Sequence, residues 1–182
     1  MLILASQSPR RRQLLQMAGL DFICIPADIE EVVPEGTPAD EIPRLLALLK
    51  ASAVLETHPD AVVIGSDTVV AIDGEVLGKP KDEEDALKML KHLSGRTHVV
   101  HTGVAILSKD RRESFTSSTK VLFYDHTDEE LRAYIATGDP MDKAGSYGIQ
   151  GAGAFLVKSI EGDFYTVMGL PVAEVLRRLK AF

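Results

Sequence analysis

The chain has 182 residues, 45% of them hydrophobic and 26% charged, enough for one sizeable core in an ordinary globular protein. A net charge of -7 argues against a general nucleic-acid binder, which needs a broad basic face. Cys24 is the only cysteine, so no intramolecular disulfide can form. With no signal peptide in view the expectation is a cytoplasmic protein, and Cys24 reads as a small buried hydrophobe. The most apolar helical run, "LLALLKASAVL", is far shorter than the ~20 residues that span a bilayer, so no membrane partner is expected.

"LILA" predicts a short strand, followed by a helix from Pro9 to about Ala18 that Gly19 stops. "DFICIP" predicts a second strand, and "ADIEEVVPEGTP" an acidic loop. Thr37 is placed to cap a helix with Pro38 at its first position, running to about Glu56. "AVVIGSDTVVAI" is β-branched and reads as a buried strand, or as two with a break at Gly65-Ser66. "DGEVLGKP" gives a turn, a short strand and a loop. Asp82 caps the next helix, which Gly95 ends, and "THVVHTGVAIL" and "RESFTSSTKVLFY" form a hairpin across "SKDRR". Thr127 and Glu130 make a capping box. "GDPMDKAGSYGIQGAGAFLV" is glycine-rich and must loop closely before a last strand, and "TVMGLPVAEVLRRLK" predicts one final amphipathic helix. No linker or repeat interrupts the pattern. The alternation of strands and helices indicates an α/β fold with an antiparallel portion in the middle.

Three cations, Arg10, Arg11 and Arg12, occupy the first turn of the first helix, where the dipole favours acidic residues. Leu14, Leu15 and Ala18 mark its buried face, so Arg10 and Arg11 point toward the protein body while Arg12 falls on the polar side. An anion held by free helix N–H groups, the Ser6 and Ser8 hydroxyls and two guanidinium groups would resolve that arrangement. Internal carboxylates paired to the arginines are the alternative. Asp67 is the single ionisable group of its strand and reads either as a metal ligand or general base, or as the partner of Arg10 or Arg11.

Lys50 and Lys79 each offer a point charge for phosphate, against the alternative that Lys50 runs along its own stem to solvent. Glu31, in the acidic loop beside Glu30, could help to hold a hard divalent cation. His98 and His101 have an odd separation on a strand and so cannot share a metal. "GIQGAG" is no dinucleotide fingerprint, because the spacing is wrong and a strand is expected to follow. P-loop and serine-hydrolase motifs are absent.

Taken together, "LASQSPRRRQLL", "GSDTVV", "GKP", "SGRTHVVHTGV" and "DKAGSYGIQGAGAFLVKSIEGDFYTVMGLP" resemble the Maf family of nucleotide pyrophosphatases nearly end to end. The resemblance implies a single-domain ITPase-like fold over residues 1–182, an elongated mixed sheet with flanking helices and two lobes around a central cleft. It implies hydrolysis of a nucleoside triphosphate to the monophosphate and pyrophosphate, assisted by Mg²⁺, Mn²⁺ or Co²⁺. "DKAGSYGIQG" is similar to the branch acting on dTTP and UTP, with modified pyrimidine nucleotides as further candidates. By the same resemblance Asp67 is the proton acceptor, and Arg11, Thr68 and Gln150 set specificity. Ser6, Arg10, Glu31, Lys50 and Lys79 surround phosphates and metal, with Asp67 and Glu31 as metal ligands. Leu49 departs from the pattern, which often has a charge there. A homodimer is suggested. The rival expectation is a non-catalytic nucleotide-binding regulator of cell division, since the family is linked to arrest of septum formation.

Overall fold

A computed structural model describes every residue from Met1 to Phe182. The strands are β1 (Leu2–Ala5), β2 (Ile23–Cys24), β3 (Val62–Ile72), β4 (Glu75–Leu77), β5 (Thr97–Leu107), β6 (Arg112–Phe123) and β7 (Val157–Glu161). The helices are α1 (Pro9–Met17), α2 (Ile42–Thr57), α3 (Glu83–Leu93), α4 (Asp128–Ile135), α5 (Phe164–Met168) and α6 (Val172–Leu179). Short 3-10 turns at Asp139–Asp142, Ala144–Ser146 and Gly151–Leu156 fill the glycine-rich stretch. The seven strands form one mixed sheet in the order β2-β1-β3-β5-β6-β7, with β4 paired to β3. This is the α/β class, with flanking helices, that the alternating pattern predicts.

The chain divides into two compact units. One comprises residues 1–68, 102–117 and 169–182, the other residues 69–101 and 118–168. In the first unit β1 pairs in parallel with β2 and with β3, Leu2 to Ala5 facing Val62 to Gly65. Ile3, Ala5, Val63, Ala105 and Leu107 pack with Ala47, Ala51 and Val54 of α2. In the second unit the amphipathic faces of α3 and α4 bring Leu87, Leu90, Leu93 and Leu131 onto Val70, Val121 and Phe123. Asp82 caps α3 by accepting from Asp85 N at 2.8 Å, and the Thr127–Glu130 capping box is present on α4.

Three local expectations need correction, and one open reading is settled. The second helix begins at Ile42, four residues beyond Pro38. Thr37 donates its hydroxyl to Pro34 O at 2.7 Å, closing the acidic loop on itself, and Pro43 takes the first-turn position that needs no N–H. β3 is one strand from Val62 to Ile72, the first of the two readings of that run. A 3-10 turn, Gly151–Leu156, directly follows Gln150, and the last strand starts only at Val157. The expected single C-terminal helix is two, parted by Gly169, Leu170 and Pro171.

Cys24 is exposed, not buried. Its strand is only two residues long and lies at the sheet edge, so neither Ile23 nor Cys24 is covered.

Candidate active site

β1 stops where Ala5 faces Gly65, while β3 runs on through Ser66, Asp67 and Thr68. These three residues therefore lie past the carboxyl end of β1, the usual place for a ligand crevice in a parallel sheet. α1 begins there. Ser8 is its N-cap, its Oγ accepting from Arg11 N at 3.4 Å, and Pro9 sits in the first turn. Leu14 and Leu15 are buried, which fixes the helix's rotation and turns Arg11 inward. Arg12 is exposed, as its position on the polar side predicts.

The Arg11 guanidinium bonds to three neutral oxygens. Nε donates to Gly169 O at 2.7 Å, Nη1 to Ser6 Oγ at 3.3 Å and Nη2 to Thr68 Oγ1 at 3.0 Å. Burial lowers its pKa, and the charges of Asp67 and Glu31 partly oppose that effect while Arg10 adds to it. A cation so held keeps its charge for an anion still to come. Ser6 also accepts from Ser8 N at 3.1 Å. The amides of Ser8 and Arg11 are thus occupied by serine oxygens, which narrows the set of free N–H groups expected at this helix start. The Ser6 hydroxyl hydrogen remains to be donated, since both of those bonds are accepted.

Asp67 does not bond to Arg11, whose three guanidinium nitrogens go to Gly169, Ser6 and Thr68. Its Oδ1 accepts from Lys50 Nζ at 2.6 Å, and the same ammonium lies 2.8 Å from Glu31 Oε1. The reason lies one turn away on α2 and two residues back on β3. A Cβ at Gly65 would stand 2.2 Å from Ala47 O and 3.0 Å from Ala51 Cβ, so only glycine admits the helix this closely. Ala47, Lys50 and Ala51 share a helix face, and Gly65 and Asp67 share a strand face. The close packing therefore delivers Lys50 to Asp67. Lys50 does not reach along its stem to solvent, its side chain being 14% exposed.

Two carboxylates from separate elements converging on one cation are hard oxygen donors of the kind a divalent metal uses together with phosphate oxygens. No larger cluster of His, Cys, Asp or Glu side chains exists to hold one. Asp67 and Glu31 are donors of the type such an ion takes, and an ion between them would share them with the Lys50 ammonium.

Ser66 and Gly169 were not singled out by the sequence. Ser66 is fully buried and lies 3.0 Å from both Gly103 O and Gly169 O. The signals were a hydroxyl inside a β-branched run and a Gly-Leu-Pro inside a helical pattern. Thr68 bonds to Thr102 at 2.9 Å, a third hydroxyl in the same group.

Lys79 and Gln150 belong to the second unit, and both are exposed. The Lys79 loop is tied to the glycine-rich stretch by Gly145 N donating to Gly78 O at 3.0 Å. Tyr147 is fixed by His98 Nε2 at 2.7 Å, and Gly148 N donates to Tyr134 Oη at 3.2 Å. Lys143 ties Asp139 and Asp142 together at 2.9 and 2.8 Å. The stretch leading into Gln150 is therefore anchored while the Gln150 carboxamide makes no capping bond. His98 and His101 bond to different partners, Tyr147 and Ser118, in keeping with their odd spacing.

The whole chain, residues 1–182, matches the family of Maf-like proteins. The chain belongs to the Maf family. A dTTP/UTP pyrophosphatase of Bacillus velezensis is 53% identical over 181 residues, covering 100% of this chain and 96% of that protein. One of Bacillus cytotoxicus is 51% identical over 180 residues, covering 99% and 94%. Among solved structures, a Ham1 protein from Coxiella burnetii aligns with a TM-score of 0.52 at 17% identity, covering 100% of this chain and 98% of its own. The Staphylococcus aureus Ham1 protein gives 0.50 at 19% identity, covering 68% and 72%. These two likenesses establish a shared ITPase-like fold for this Maf chain. No helix is long and apolar enough to cross a membrane.

Proposed function

We propose that this Maf chain hydrolyses dTTP and UTP to the monophosphate and pyrophosphate. The observation that carries the reading is Arg11, an inward-turned cation bonded only to neutral oxygens and placed beside the Asp67 carboxylate. The names of relatives about half identical over their full length supply the substrates.

A triphosphate brings about four negative charges, and Arg10, Arg11, Lys50 and Lys79 are the residues proposed to offset them. Ser6 donates its hydroxyl hydrogen to a phosphate oxygen, and Ser8 holds the turn that presents Arg11. Asp67 orients a water toward the α-phosphorus. Because Lys50 occupies Oδ1, Oδ2 is the oxygen that takes the water's proton. The water oxygen bonds to the α-phosphorus, the bond to the bridging oxygen breaks, and pyrophosphate leaves with the electron pair. Asp67 and Glu31 would hold a divalent cation, Mg²⁺, Mn²⁺ or Co²⁺, whose chemistry is to offset phosphate charge and polarise the phosphoryl group. Thr68 keeps Arg11 in place, and in the second unit Gln150 offers a donor and an acceptor to the imide edge of uracil or thymine.

The test is pyrophosphate release from a panel of nucleoside triphosphates with Mg²⁺ or Mn²⁺, run in ¹⁸O-labelled water. Release from UTP and dTTP with label in the monophosphate supports the reading. Label in inorganic phosphate, or binding without release, would sink it.

A further inference from the structure

Arg11 owes its placement to a carbonyl that is itself held by a buried hydroxyl. Gly169 has a φ of +109°, a conformation that side-chain-bearing residues avoid, and it turns the backbone out of the helical path between α5 and α6. That departure frees its carbonyl from any helix and directs it to two donors, Arg11 Nε at 2.7 Å and Ser66 Oγ at 3.0 Å. A Cβ on Gly169 would lie 3.3 Å from Arg11 Nε and 3.4 Å from Thr68 Oγ1, so glycine is also what lets the guanidinium come this close.

Ser66 has no solvent exposure and one hydrogen for two carbonyls, Gly103 O and Gly169 O, both at 3.0 Å. A valine or isoleucine would suit the strand better and would leave no hydroxyl to satisfy. The hydroxyl instead links β3, β5 and the α5–α6 break at one point. Nη1 and Nη2 of Arg11 engage Ser6 and Thr68, so all three guanidinium nitrogens are fixed from three directions.

We infer that Ser66 and the Gly169 carbonyl are positioning groups for the triphosphate-binding guanidinium: Ser66 orients the carbonyl, and the carbonyl sets the plane in which Arg11 meets the phosphates. The inference rests on the reading that Arg11 contacts the substrate's phosphates. Ser66, with no solvent exposure, acts on substrate binding through the Gly169 carbonyl and Arg11.

The experiment is a double-mutant cycle with Ser66→Ala and Arg11→Ala, read by calorimetric binding of the non-hydrolysable α,β-imido analogue of UTP and by kcat and KM for UTP. Ser66→Ala alone should weaken analogue binding roughly three- to tenfold, as loss of one neutral hydrogen bond does. In the Arg11→Ala background the same change should have no further effect. Gly169→Ala should reproduce the Ser66→Ala defect, with thermal unfolding of each variant recorded alongside. Equal losses in both backgrounds, or normal binding by Ser66→Ala or Gly169→Ala, would overturn the inference. Wild-type binding and turnover by Arg11→Ala would instead remove Arg11 from the phosphates, and the inference with it.

Discussion

Lys50 Nζ stands 2.6 Å from Asp67 Oδ1 and 2.8 Å from Glu31 Oε1, so one ammonium joins carboxylates from a strand and a loop. Its removal leaves two like charges without the cation that bonds to both of them. Lys50→Met should cost about 1–3 kcal/mol in urea unfolding, less than a fully enclosed pair because Glu31 is 51% exposed. Mg²⁺ should restore more of the variant's stability than it adds to the wild type. Equal effects of Mg²⁺ on both would separate these carboxylates from any cation.

Asp67→Asn keeps the shape of the side chain and removes its capacity to take a proton. Turnover of UTP should fall roughly 10²-fold or more, with analogue affinity largely kept. Near-normal turnover would take Asp67 out of the chemistry.

Arg11→Ala should weaken triphosphate binding by about 1–3 kcal/mol, the range of a charge-assisted contact. Arg11→Lys should recover little of it, because an ammonium cannot meet Ser6, Thr68 and Gly169 in one plane. Analogue titration of both variants checks the point.

His98 lies among Phe123 and Tyr147 with its pKa pushed down to about 4 by burial. Below pH 6.5 the unfolded chain takes up a proton that the folded chain refuses, so stability falls as pH drops from about 6.5 toward 4. The loss attributable to this residue is at most about 3 kcal/mol. His98→Gln should show a shallower decline than the wild type in urea unfolding at pH 7 and pH 4.5. Parallel declines would acquit His98.

Gly65→Ala should displace α2, since the added Cβ would stand 2.2 Å from Ala47 O, which is backbone and cannot swing aside. A cost of about 2–3 kcal/mol or more is expected, together with reduced turnover as Lys50 moves off Asp67. Full activity in a destabilised variant would show that the Lys50 contact is dispensable.

Much of this site is legible in the sequence because the relevant physics is local. Ser8-Pro9 starts a helix, Leu14 and Leu15 set its rotation, and Arg11 must then face inward. Asp67 stands out because a carboxylate in a β-branched run needs an account. Its partner was not legible, since Lys50 is 17 residues away and only the close approach at Gly65 brings α2 to it. Ser66 was passed over for the same reason, its carbonyl partner being 103 residues away. The start of α2 and the break at Gly169 show the limits of local signals. Thr37-Pro38 and Pro43 both offer a helix start, and a helical hydrophobic period runs across Gly169-Leu170-Pro171 although the backbone does not. The exposure of Cys24 has no signal in composition, which carries no information about sheet edges.

The division of the chain into residues 1–68, 102–117 and 169–182 against 69–101 and 118–168 bears on how the protein can be handled and inherited. Neither unit is a continuous stretch, and three of the four passages between them fall inside β3, β5 and β6. No restriction fragment, exon-like segment or truncation can therefore encode one half alone. Pairing β1 with β3 also requires Leu2 to find Val62 across some sixty residues of chain, a long-range step whose loop-closure cost comes before its contacts repay it. The first unit cannot close until residues 169–182 have left the ribosome, because they complete it.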